Sequence, residues 1–110
     1  MANSFRTLDA AHAVADEVNL LLRDRKLSLI HRGQLRDSSQ SIPANVREGL
    51  GRDAGPDRNQ FYRVARGSAE ETDEHLRANF ADRRMAPAIY WRLHNRLMVI
   101  VKMINALQQQ

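Results

Sequence analysis

Glu48 and Glu71, four histidines, and a basic complement of fifteen arginines against two lysines are the side chains through which this 110-residue chain could do chemistry. Paired carboxylates serve general acid–base catalysis when both face one cleft. Histidines hold metals when they recur at i, i+4 or stand in Glu-x-x-His pairs on two helices. His12, His31, His75 and His94 fall one to each of four helical segments, with neither spacing. Glu71 and His75, four apart, read as a surface pair on a helix. With no cysteine, thiolate metal sites, disulfides and cysteine nucleophiles are excluded. No metal or cofactor is expected. A hydrolase built on Glu48 and Glu71 ranks last among the functional readings.

The stretch SIPANVREGLGR, residues 41 to 52, holds Pro43, Gly49 and Gly51. A phosphate loop needs glycines ahead of a Lys-Ser/Thr pair and after a strand, and neither condition is met. Ser41 lacks a Gly-x-Ser-x-Gly frame and a neighbouring histidine to activate it. The structural reading covers more of these residues. Pro43 cannot donate to the carbonyl of Ser39 and its ring crowds that carbonyl, which predicts a kinked helix. The hydroxyls and amide of Ser38, Ser39, Gln40 and Ser41 stand ready to satisfy the freed backbone groups. Asn45 and Glu48 then lie within one turn, and Gly49 and Gly51 are expected to supply a left-handed C-terminal cap.

The elements that carry these residues follow from hydrophobic spacing. No β-type alternation occurs, and the helical template fits four segments. Leu8, Ala11, Ala15, Val18 and Leu22 mark the first, starting at Thr7 and ending in Arg23-Asp24-Arg25-Lys26. The second runs from about Leu27 to Leu50 with Leu35, Ser39, Ile42 and Val46 on one face. GRDAGP is the clearest loop, and a third helix starts near Asp57, which can cap it. Its inner face, Phe61, Ala65, Ser68, Thr72 and Leu76, is mostly small, so a neighbouring helix can come close. After a turn at Ala81 to Pro87, the fourth helix runs to about Gln108 on Ile89, Leu93, Leu97, Ile100, Ile104 and Leu107. Short loops force each helix back along its predecessor, giving one domain over residues 1–110. The expected fold is all-α, an antiparallel up-down-up-down four-helix bundle with a proline-kinked second helix.

Composition narrows the setting. Hydrophobic residues are 43% and aromatics 5%, so the core must be aliphatic. The longest apolar run, Leu97 to Val101, is far short of the roughly 18 residues of a membrane span, and no basic–apolar leader is seen. These features predict a soluble, cytoplasmic protein. The net charge of +4 is carried by arginine, whose planar donor fork fits phosphate, although an arginine-rich composition also arises without any function. The third helix is acidic, the second and fourth basic. Arg83, Arg84, Arg92, Arg96 and Lys102 form the candidate nucleic-acid-binding set, with Arg92 and Arg96 one turn apart. Phe80, Met85, Tyr90 and Trp91 cluster as an end cap on the core, a subunit contact or a stacking platform.

QLRDSSQSIPANVREGLGR followed by FYRVARGSAEETDEHL resembles the signature of a bacterial four-helix-bundle family that includes proteins encoded in intervening sequences of 23S ribosomal RNA genes. Gln34, Leu35, Arg36, Ser41, Ile42, Pro43, Ala44, Asn45, Glu48, Gly49, Gly67, Ser68 and Glu71 carry the resemblance over the second and third helices. The first and fourth match by pattern only. Asp37 and Arg47 stand where that family commonly keeps small or apolar residues, and Ser39-Gln40 replaces an Ala-rich pair, so local packing is expected to differ. The resemblance implies a homopentamer, and a structural likeness to the basic pentameric accessory proteins of diversity-generating retroelements. Those associate with a reverse transcriptase and with nucleic acid.

Ser41, Asn45, Glu48, Ser68 and Glu71 are expected to form a structural polar network between the second and third helices, with a carboxylate paired to Arg36, Arg47 or Arg66. Gly67 and Ser68 would leave room for the kinked helix. Two functions remain open. One is a non-enzymatic oligomeric accessory factor gripping RNA or DNA through arginine–phosphate contacts. The other is an adaptor ring that binds a protein partner, such as a reverse transcriptase, without touching nucleic acid.

Overall fold

The structure, a computed structural model, describes residues 4–110. Four helices follow in order: α1 (Ser4–Arg23), α2 (Arg32–Leu50), α3 (Pro56–Ala81) and α4 (Pro87–Gln108). Among the described residues there is no strand. Each helix packs on the next and α1 closes against α4, the neighbour order of an up-down-up-down bundle. The body measures 44 × 22 × 18 Å, its long axis set by the 26-residue α3.

The core is aliphatic, as the composition requires. Val14, Val18, Leu35, Ile42, Val46, Leu76, Leu93, Leu97, Ile100 and Ile104 are all shut off from solvent. The stripes expected on α2 and α4 face inward, except that Ile89 is only half-buried. On α3 the large inward side chain is Tyr62, while Phe61 is half-buried beside the Arg52 guanidinium. The α2–α3 contact is lined on the α3 side by Ala65, Ser68, Ala69 and Thr72, all buried. Small side chains let the two helix backbones approach closely.

Several boundaries differ from expectation. Thr7 is a buried residue inside α1, which begins at Ser4. α2 begins at Arg32, not Leu27, because residues 24–31 are held in a loop by competing bonds. The Arg32 guanidinium donates to the carbonyls of Leu22 at 2.8 Å and Leu27 at 2.6 Å. It thereby satisfies a carbonyl that the end of α1 leaves free. From α3, fully buried Asn79 accepts from the Ile30 N–H at 2.8 Å and donates to the Ile30 carbonyl at 3.0 Å. His31, placed on a helix by the sequence reading, instead precedes α2 in a left-handed conformation, φ 59°. Asp57 is not the cap of α3: it sits in the first turn after Gly55 and Pro56 and pairs loosely with Arg52 at 3.7 Å.

The glycines of α2 also act differently. The helix runs through buried Pro43 as one element. The Ser38 and Ser39 hydroxyls bond the carbonyls of Leu35 and Arg36, one turn before the carbonyl that Pro43 leaves free. Gly51 ends α2 in a right-handed conformation, φ −81°, so no left-handed cap forms. Gly49 is buried for a steric reason: a Cβ there would lie 2.3 Å from the Tyr62 ring. Gly67, expected to make room for α2, faces open space, with nothing within 4 Å of where its Cβ would be.

Three stability outcomes follow. Gly49→Ala should destabilise by about 1–3 kcal/mol through overpacking on Tyr62. Gly67→Ala should stabilise by about 0.5–1 kcal/mol, because an open helical position gains alanine's propensity; urea midpoints shifting in opposite directions would show both. Asn79→Ala leaves the Ile30 amide and carbonyl unserved next to the core. It should cost about 2 kcal/mol or more by the same measurement.

Candidate nucleic-acid interface

Ser41 and Ser68 bring α2 and α3 into direct polar contact, their hydroxyl oxygens 2.7 Å apart. Asn45 donates to the Ser41 hydroxyl at 3.0 Å and to its carbonyl at 2.8 Å. One turn along, the Thr72 hydroxyl lies 2.8 Å from the Ser38 hydroxyl and 2.7 Å from the Ser68 carbonyl. The network is therefore a ladder of neutral groups, Ser38, Ser41, Asn45, Ser68 and Thr72. Glu48 and Glu71 lie outside it. Glu48 faces solvent and pairs with Arg52 at 3.5 Å, and Glu71 is an exposed partner of His75 at 3.6 Å. The reason is geometric: where helices pack this closely, a hydroxyl fits and a glutamate does not. Nor do the expected arginines serve these carboxylates. Arg47 donates to His12 Nε2 at 2.9 Å, and Arg66 to Asn105 at 2.9 Å and Gln108 at 3.2 Å.

A second polar group joins α3 to α4. Buried Asp73 lies 2.8 Å from His94 Nδ1, and Arg77 reaches Asp73 at 3.5 Å and the Tyr90 hydroxyl at 3.3 Å. The Tyr90 hydrogen bond, then the charges of Tyr90 and Asp73, hold the Arg77 guanidinium even more firmly protonated than usual. Elsewhere on α3, burial raises the Tyr62 phenol above its ordinary value, partly offset by the charge of Arg58. Sequence reasoning missed the Asp73–His94 contact because 21 residues separate the partners; only the α3–α4 packing joins them. The groove beside it is lined by Glu70, Glu71, Glu74 and Arg77 among others, and its lining offers no hydroxyl or thiol nucleophile. Among the described residues no group of three or more His, Asp or Glu is placed to hold a metal.

The basic set chosen from sequence divides. Arg92 and Arg96 do share a face, but Glu17 of α1 sits between them, 3.2 Å from Arg92 Nε and bonded to Arg96 as well. One carboxylate thus offsets half of that charge. Arg84 is structural: it donates to the Ser28 carbonyl at 2.7 Å and hydroxyl at 2.9 Å and pairs with Asp82, tying the α3–α4 loop to the α1–α2 loop. Arg83 is exposed in a left-handed turn, φ 57°, and Lys102 is exposed on α4. Nearby, Phe80 and Tyr90 stack at 4.6 Å, with buried Met85 at the same bundle end and Trp91 half-exposed beside them.

The densest cationic feature lies where sequence gave no stripe. Arg23, Arg25, Arg32 and Arg36, with Asn19 and Leu22, line a 290 Å³ pocket at the end of α1 and the start of α2. No carboxylate is in the lining; the neighbouring Asp24 carboxylate is turned to the Lys26 N–H at 3.0 Å. Arg23, Arg25 and Arg36 are exposed. These residues come from three segments, so no single helical face reveals them. A count of arginines around the first turn was the one signal available.

The ladder and the surface carboxylates should separate on mutation. Thr72→Val, isosteric but without the hydroxyl, should cost about 1 kcal/mol. Glu71→Gln should change stability by less than about 0.5 kcal/mol; thermal or urea denaturation distinguishes them.

Comparison with known proteins places this arrangement. Over 97% of its length the chain superposes on 98% of a crystal structure from Bacteroides thetaiotaomicron, a protein of unknown function from the S23 ribosomal protein family, with a TM-score of 0.90 and 19% identity. At that identity the likeness speaks for the fold alone. No curated protein matches the chain. The family described as 23S rRNA-intervening sequence protein matches residues 4–106, nearly the whole chain including the α2–α3 ladder and the arginine-lined end. The chain belongs to the 23S rRNA-intervening sequence protein family.

Proposed function

We propose that this protein is a non-enzymatic, homo-oligomeric accessory factor, acting in the cytoplasm, that binds RNA or DNA through arginine–phosphate contacts. One observation carries the reading. The α1–α2 and α3–α4 loops lie together at one end of the bundle, joined by Arg84–Ser28 and Asn79–Ile30, and that end gathers Arg23, Arg25, Arg32, Arg36 and Arg83. Guanidinium is permanently charged and forks onto phosphate oxygens, so such an end favours a polyanion without reading its sequence. Arg92, Arg96 and Lys102 contribute a weaker flank, since Glu17 offsets the first two.

Self-association has its own support. A groove between α1 and α4 is lined by Ala10, Ala13, Val14, Val99 and Ile100, and Phe5, Leu20 and Val99 on these helices are more than half exposed. Exposed apolar area of this kind suits a second copy, and the family resemblance makes five the expected number. The same groove favours the second reading, an adaptor whose apolar face holds a protein partner.

Light scattering after size exclusion, with and without a short structured RNA, tests both parts. The expected result is a mass near five 12.6 kDa subunits that gains RNA at low salt and loses it at high salt, as counterion release requires. A 12.6 kDa species that ignores RNA would refute the reading. An oligomer indifferent to RNA at every salt concentration would leave the adaptor.

A further inference from the structure

The arginine pocket differs from an ordinary basic surface in shape and in charge balance. Four arginines line 290 Å³, a space about 8 Å across, with no carboxylate in the lining. Arginine side chains carry a permanent positive charge. Arg32 is fixed in place by its bonds to the carbonyls of Leu22, Asp24 and Leu27, so part of the pocket is rigid before any ligand arrives. Arg23, Arg25 and Arg36 reach in from the last turn of α1, the loop and the second turn of α2. On other faces of the fold, Glu17 offsets Arg92 and Arg96, and Glu48 offsets Arg52. The lining of this pocket supplies no such carboxylate.

A concave site with about four positive charges calls for a compact anion of similar charge. Successive phosphodiesters along a strand carry one negative charge each and are held apart by a ribose. Directly linked phosphates put three or four negative charges and many acceptor oxygens into the same space, and arginine forks bind these bidentately. We propose that the Arg23–Arg25–Arg32–Arg36 pocket is a binding site for linked phosphates, either the 5′-triphosphate end of an RNA or a free polyphosphate. The RNA source rests on the nucleic-acid reading above; binding of a free polyphosphate does not.

The test uses the full chain and two ligands. Inorganic pyrophosphate is titrated calorimetrically, with orthophosphate as comparison. One short RNA is then compared bearing a 5′-triphosphate and a 5′-hydroxyl. Variants are Arg23→Gln/Arg25→Gln/Arg36→Gln, which spares the structural Arg32, and Arg63→Gln, exposed on α3 and bonded only to Gln60, as the control; circular dichroism checks that both fold. Pyrophosphate should bind more tightly than orthophosphate. Affinity should fall about tenfold or more for each guanidinium removed from the pocket and stay unchanged in the control. A preference for the triphosphate RNA that vanishes in the triple variant makes the RNA end the source. Equal RNA affinities with pocket-dependent pyrophosphate binding make it a free polyphosphate. Failure of pyrophosphate to bind, or binding that survives the triple variant, overturns the proposal. RNA binding with normal salt dependence in that case would leave the broader nucleic-acid reading standing. If pyrophosphate binds but neither RNA does, the broader reading falls and the pocket remains.

Discussion

The closeness of α2 to α3 constrains most of the rest of the molecule. That approach favours small or hydroxyl-bearing residues along the contact, which accounts for Ala65, Ser68, Ala69 and Thr72 on one side and Ser38 and Ser41 on the other. Once these groups are removed from water, each needs a partner, and the Ser41–Ser68 and Thr72–Ser38 pairs provide partners across the interface. The same proximity leaves Gly49 no room for a Cβ beside the Tyr62 ring. Carboxylates are expelled to the rim, where Glu48 and Glu71 make solvent-exposed pairs of little energetic weight.

Arginine does two different jobs in this chain. At the loop end, Arg32 and Arg84 spend their donors on backbone carbonyls, and with Asn79 they hold two loops together beside the buried Leu29 and Met85. Arg23, Arg25 and Arg36 line the pocket with the fixed Arg32 and no carboxylate, so structural rigidity and spare charge sit side by side. The sequence motif that carries the family resemblance lies on α2 and α3. The cationic bundle end overlaps the start of that motif, since Arg36 belongs to both.

Much of the architecture was legible. Heptad-like apolar spacing located four helices, Pro87 and Gln108 bounded α4 correctly, and the small inner face of α3 announced the close α2 contact. Ser41, Asn45 and Ser68 could be grouped because helical periodicity puts them on facing sides. Glu48 and Glu71 were grouped with them wrongly, since periodicity gives a direction and not the separation between helices. The start of α2 was also misjudged. Leu27 to His31 reads as helix by composition, but Arg32 and Asn79 bind that backbone into a loop from positions near and far in the chain.

By itself, then, the sequence determined the all-α class, the aliphatic core, the arginine-borne charge and the absence of cysteine chemistry. These depend on residue type and on spacing along one chain. Tertiary structure decided which charges remain available. Glu17 reaches Arg92 and Arg96 across 75 or more residues, His94 meets Asp73 only because α3 and α4 pack together, and the arginine pocket draws on three separate segments. Pairing between charges depends on distances of a few ångströms, and those exist only after the helices have docked.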